Sequence, residues 1–181
     1  RFEPGNPQEG YSPSPQERQS WLQISYMKEA YHTMGPKFTL GWMAEALYSS
    51  KNFSENYTAT MMQAGEFAPT PHSKLMYNEA FRANQYVAAG IKPIYVLNDM
   101  FQFRTEFYGF TPIFPIKKNA LNKAYYGKAF SRFEYMGEVS VICHLPFGAI
   151  SAYVNHYSSP RREWNVGMTI GWQLFNYRFV E

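Results

Sequence analysis

The residues of this 181-residue chain whose types most readily do chemistry are four histidines, one cysteine and one aspartate, and their spacing assembles no site. His32, His72, His144 and His156 lie on separate segments, without the short repeat distances that bring imidazoles onto one metal. Cys143 has no base beside it in sequence and alternates with apolar residues, which predicts an inert, buried or lipid-facing thiol rather than a nucleophile. As a single cysteine it also excludes an internal disulfide. Asp99 sits in Asn98-Asp99-Met100, and Gly-rich phosphate loops are absent. Asn52-Phe53-Ser54 and Asn56-Tyr57-Thr58 match the glycosylation acceptor pattern, which is common by chance. With 17 Lys plus Arg against 14 Asp plus Glu and no basic run, nucleic acid is not an expected partner. No catalytic residue, cofactor or metal ligand is assigned.

Chemistry of a different kind lies in the aromatic residues: 15 Tyr, 15 Phe and 4 Trp make up 19% of the chain, although its mean hydropathy is negative. Soluble cores rarely use so much ring surface, whereas membrane barrels line both interfaces with it and keep a polar lumen. The elements that position these rings have period 2. In Asn165 to Leu174, Val166, Met168, Ile170, Trp172 and Leu174 share one face and Asn165, Gly167, Thr169, Gly171 and Gln173 the other. In Met100 to Thr111, Phe101, Phe103, Thr105 and Phe107 oppose Gln102, Arg104, Glu106 and Tyr108. Lys37 to Tyr48 sets Phe38, Leu40, Trp42 and Ala44 against Thr39, Gly41, Met43 and Glu45. Arg132 to Leu145 alternates less cleanly, setting Phe133, Tyr135, Val139, Val141, Cys143 and Leu145 against Arg132, Glu134, Met136, Glu138, Ser140, Ile142 and His144.

Weaker strands are expected over Gln23 to His32, Tyr57 to Gln63, Gln85 to Leu97 (interrupted by Pro93) and Ala149 to Tyr157, which makes about eight. The connectors differ in length: Leu145-Pro146-Phe147-Gly148 is tight, and Gly65 to Phe81, with Pro69-Thr70-Pro71, is long. The sequence therefore predicts an all-β, antiparallel up-and-down barrel or partial barrel of outer-membrane type. Residues 1–20 are expected to form a linker or loop and 21–181 the barrel segment. Period 2 also fits a soluble barrel that binds an apolar ligand inside, with the same rings turned inward. Strand length favours the membrane, because the longer strands exceed the five or six residues typical of soluble sheets and match tilted, membrane-crossing ones. No run of 18 apolar residues provides a membrane helix, and no export signal lies within these residues. On the membrane reading, Trp42, Phe101, Phe103, Phe107, Tyr135, Trp172 and Phe175 face lipid or form girdles. The charges Glu45, Arg104, Glu106, Arg132, Glu134 and Glu138 then face the lumen, and the histidines occupy lumen or loop positions.

A resemblance runs through Glu66-Phe67-Ala68-Pro69-Thr70-Pro71-His72 and Asn78 to Gly90, then Phe103 to Phe110, Ala124-Tyr125-Tyr126-Gly127, Phe133 to Glu138 and Gly171 to Asn176. From about Tyr57 onward, the chain resembles the C-terminal β-barrel region of patatin-like phospholipases from Bacteroidetes. The resemblance implies the bacterial outer membrane as location, membrane lipid and the barrel assembly machinery as partners, and a hydrolase domain upstream in the same polypeptide. A patatin nucleophile sits in Gly-x-Ser-x-Gly, with an Asp-Gly pair supplying its base. Neither motif occurs here, so the chain is expected to be non-catalytic. The final strand has the alternation of an outer-membrane C-terminal strand but lacks a terminal aromatic, since Phe179 is followed by Val180 and Glu181.

Overall fold

A computed structural model describes residues 20–54, 56–159 and 164–172. Along the chain the elements are β1 (Gln23–Thr33), β2 (Phe38–Ser49), α1 (Tyr57–Gln63), β3 (Gly65–Glu66), a 3-10 turn (Glu79–Phe81), β4 (Arg82–Ala83), β5 (Gln85–Val96) and β6 (Phe101–Pro112). These are followed by β7 (Ile116–Lys118), β8 (Ala124–Tyr126), β9 (Glu134–Leu145), β10 (Gly148–Tyr157) and β11 (Trp164–Trp172). Seven long strands form one antiparallel meander in the order β1-β2-β5-β6-β9-β10-β11. Two short antiparallel pairs, β3-β4 and β7-β8, lie in the connections.

The predicted barrel is thus observed, among the described residues, as an open sheet: β1 and β11 are its two edges and are not paired with each other. The expected strand at Tyr57–Gln63 is instead helix α1. Asn56 caps it, its side chain accepting a hydrogen bond from the Ala59 amide at 2.8 Å. The run Ala59, Thr60, Met61, Met62 contains good helix formers, and α1 buries Thr60 and Met61. A seven-residue stretch is too short for its period to tell strand from helix. The other seven expected strands match long strands within a few residues, including β5, which runs through Pro93.

The turns at 34–37, 97–100 and 146–147 are short and share one end of the sheet, because every second connection of a meander returns to the same side. The long connections 50–84 and 113–133 share the other end. At that end the 50–84 connection folds back over one face of the sheet. Its Phe67 and Phe81 pack with Tyr86, Tyr108, Phe110, Met136 and Tyr157 in the main core. Phe67 stacks on Phe110 at 5.8 Å and meets Tyr108 edge-on at 6.1 Å. Close strand packing also requires Gly90, because a Cβ there would lie 2.1 Å from the ring of Tyr108, its partner across β5 and β6.

Candidate functional site

Residues directly opposite in a ladder share a face, so the register sorts every long strand into two sides. One side, here called outer, carries Trp42 opposite Ile91, Ile91 opposite Phe107, Phe107 opposite Gly137, Gly137 opposite His156, and His156 opposite Trp164. Along the strands it continues through Phe38, Tyr95, Phe103, Val141, Ala152 and Met168, also paired in turn. Among the described residues Lys28 is the one Asp, Glu, Lys or Arg on this side of the seven strands, and its ammonium lies 5.7 Å from the Trp42 ring. The opposite, inner side carries Glu29, Glu45, Lys92, Arg104, Glu106, Glu134 and Glu138. Exposure is the reverse of that in a water-soluble protein: Phe107 on the outer side is 49% exposed, whereas Glu106 on the inner side is 4% exposed.

Of the expected girdle residues, Trp42, Phe101, Phe103, Phe107 and Tyr135 fall on the outer side. Phe101, Phe103 and Phe107 are exposed, and Trp42 and Tyr135 are half-buried against neighbours. Tyr135 stacks between Phe107 and His156 at 6.0 Å from each. Together with Trp164, 4.8 Å from His156, these rings wall an apolar groove of about 300 Å³ with Gly137 in its lining. The Trp172 side chain and Phe175 lie outside the described residues.

Of the expected lumen charges, Glu45, Arg104, Glu106, Glu134 and Glu138 are on inner positions of strands, and Arg132 lies just before β9. Glu45 accepts a hydrogen bond from the Tyr86 hydroxyl at 2.6 Å. Glu106 accepts one from Tyr108 at 2.7 Å and lies 2.9 Å from the Arg104 Nε. Glu134 accepts from the Arg132 Nε at 2.8 Å and from the Ser158 hydroxyl at 2.5 Å. Glu138 faces Glu106 on one neighbouring strand and Asn155 on the other.

Two histidines depart from the expected lumen or loop placement. His32 and His156 are both on the outer side, because each occupies the same strand parity as the apolar residues around it. His32 accepts a hydrogen bond from the Trp42 Nε1 at 3.3 Å. His144 is at an inner position, 3.1 Å from the Gln102 Oε1, and His72 belongs to the 50–84 connection. There its Nδ1 is 2.9 Å from the Tyr157 hydroxyl, and burial holds the imidazole below its ordinary pKa. Tyr57 in α1 donates to Glu79, and burial together with that carboxylate pushes its phenol up. Cys143 is half-buried on the outer side.

The Lys92 to Glu29 ion pair, Asn155, and Arg82, which bridges Glu66 and the carbonyls that end α1, emerge only from the folded structure. Parity alone places Asn155 with Tyr153 and Tyr157, opposite Val154. Pro93 hides Lys92 by making its strand look broken. Among the described residues no three His, Cys, Asp or Glu are grouped to hold a metal ion, and no helix is long and apolar enough to cross a membrane. No family model matches the chain, and neither the curated proteins nor the solved structures contain a match to it.

Proposed function

We propose that this chain is a non-catalytic segment of a bacterial outer-membrane β-barrel, anchoring or exporting a patatin-like lipid hydrolase carried on the same polypeptide. The observation that carries the barrel reading is the inverted sheet: the apolar side is exposed and the charged side is covered. A soluble barrel holding an apolar ligand needs the opposite arrangement. Strand length supports the same reading. A 12-residue strand such as β6 is about 40 Å long at ~3.3 Å per residue, and a tilt of about 45° makes it rise about 28 Å, close to the ~30 Å hydrocarbon thickness. Short turns at one end and long connections at the other are the usual barrel asymmetry. The hydrolase link is supported by the sequence resemblance alone.

The meander also constrains how such a barrel closes. β1 and β11 are first and seventh in an antiparallel order, so they run in the same direction. Pairing them directly gives a parallel seam, and antiparallel closure takes an odd number of additional strands. In the proposed barrel the polypeptide supplies these strands.

The test is the position of the intact protein after cell fractionation, combined with proton-detected contacts between Phe103, Phe107 and Val141 and lipid acyl chains in bilayers. Outer-membrane recovery with acyl contacts at these residues is the expected result. Recovery as a water-soluble protein overturns the reading. The hydrolase link is tested separately: the coding region preceding Arg1 is expected to encode Gly-x-Ser-x-Gly and an Asp-Gly pair, and a region lacking both overturns that link while leaving the barrel standing.

A further inference from the structure

Four inner-side or capping carboxylates have a cation beside them: Glu29 with Lys92, Glu66 with Arg82, Glu106 with Arg104 and Glu134 with Arg132. Glu138 has none, although it is 3% exposed. The ladder sets it opposite a second carboxylate, Glu106, and like charges directly across a pair destabilise a sheet. Its Oε2 has no hydrogen-bond partner. On its other side Asn155 is 2% exposed and lies against the Glu138 carboxylate, with neither its Oδ1 nor its Nδ2 in a well-formed hydrogen bond. Thr70, from the connection folded over the sheet, also adjoins the Glu138 carboxylate, and its hydroxyl is engaged with Ser73 at 3.1 Å. The remaining titratable neighbours of this row are Tyr108, bonded to Glu106, then Tyr31 and the mutually paired Glu29 and Lys92 on the strands beyond, and Tyr157 and His72, bonded to each other.

A buried carboxylate and a buried amide whose hydrogen-bonding capacity is left unfilled are costly unless a further group satisfies them. The donors available to a ligand are hard oxygens: the Glu138 carboxylate, the Asn155 Oδ1 and the outer lone pairs of Glu106. With both carboxylates ionised, Glu106 and Glu138 would carry two negative charges against one positive on Arg104, leaving one negative charge for the row. We propose that Glu138, Asn155 and Glu106 form a buried site for a single hard monovalent cation of the sodium class, held between β6, β9 and β10 and closed over by Thr70. Oxygen ligands suit a hard cation, and one positive charge neutralises the row. The inference does not depend on whether lipid or water meets the outer side.

The experiment is thermal unfolding of the intact protein in detergent at pH 8, with N-methylglucamine chloride replaced by sodium chloride at constant ionic strength. The expected result is a saturable rise of roughly 2–4 °C in the wild-type midpoint. That rise is absent in Glu138→Gln and in Asn155→Leu, while Glu45→Gln retains it. Sodium-23 line broadening by the wild type, lost in Glu138→Gln, gives a readout that does not depend on variant stability. Three outcomes overturn the site. The first is a wild-type midpoint indifferent to sodium. The second is Glu138→Gln matching the wild type in every salt, which assigns a proton or a water to the row. The third is a response to calcium alone, which contradicts the charge count.

Discussion

The two sides of the sheet are built from the same strands, residue by residue in alternation, yet they solve opposite problems. The outer side needs no polar partners, and Phe103, Phe107 and Val141 stand exposed on it. The inner side carries seven charged strand residues and meets the requirements of all but Glu138 internally, through ion pairs and tyrosine hydroxyls. In water such an outer face is an aggregation liability, and in a bilayer it is the lowest-energy surface. On the proposed reading, the difference between the sides reflects the solvent the sheet is made for. It is uniform on the outer side but not on the inner, where an aromatic core at the long-connection end gives way to a charged row nearer the middle of the strands.

The largest effect should come from truncating that core. Phe110 is fully buried against Phe67, Phe81 and Tyr86, and Phe110→Ala should cost about 3–5 kcal/mol, read as a shift of the urea midpoint in detergent. A loss below about 1 kcal/mol would show that the connection does not pack on the sheet in solution.

Phe107→Arg separates the sides directly. Near the middle of β6 it should cost about 2–4 kcal/mol in a bilayer, while an exposed position of a soluble sheet tolerates it within about 0.5 kcal/mol. Refolding titrations in lipid vesicles read this difference, and a neutral result removes the membrane assignment of the outer side.

Asn56→Ala takes away the cap of α1 and should lower stability by about 1 kcal/mol, with the loss confined to amide exchange in the 50–84 connection. Global loosening of the seven strands would instead mean that this connection and the sheet unfold together.

The smallest effect is one of pH. His72 titrates below its ordinary 6.5 in the folded chain because burial disfavours the imidazolium. The unfolded chain therefore takes up its proton first as pH falls. The contribution of His72 is complete above pH 6.5 and diminishes as the pH drops from there through the folded value. Comparing unfolding midpoints at pH 7.5 and pH 5 for the wild type and His72→Gln isolates it, the variant being expected to show the shallower dependence.

Much of the fold was legible because the side-chain period of a strand is fixed by backbone geometry. Phe101, Phe103 and Phe107 could be set against Arg104 and Glu106 from the sequence alone, as could Trp42 against Glu45. Two kinds of feature were not legible that way. Over Tyr57–Gln63 the local pattern is too short to choose between periods, and the Asn56 cap with burial of Met61 settles it as helix. His32 and His156 look like lumen or loop residues by polarity, but their parity places them among the outer rings, where Trp42 and Trp164 accompany them.

What the sequence by itself determined is the alternation, and with it two chemically opposite strand faces, because each residue's side is set by its neighbours in the chain. Only the tertiary structure decided which face is covered. That choice depends on where the 50–84 connection folds, and local pattern does not encode a contact between Thr70 or Phe67 and strands far along the chain. The same holds for the meeting of Glu138 with Glu106 and Asn155: each residue belongs to a different strand, and only the register of three ladders brings them into one row.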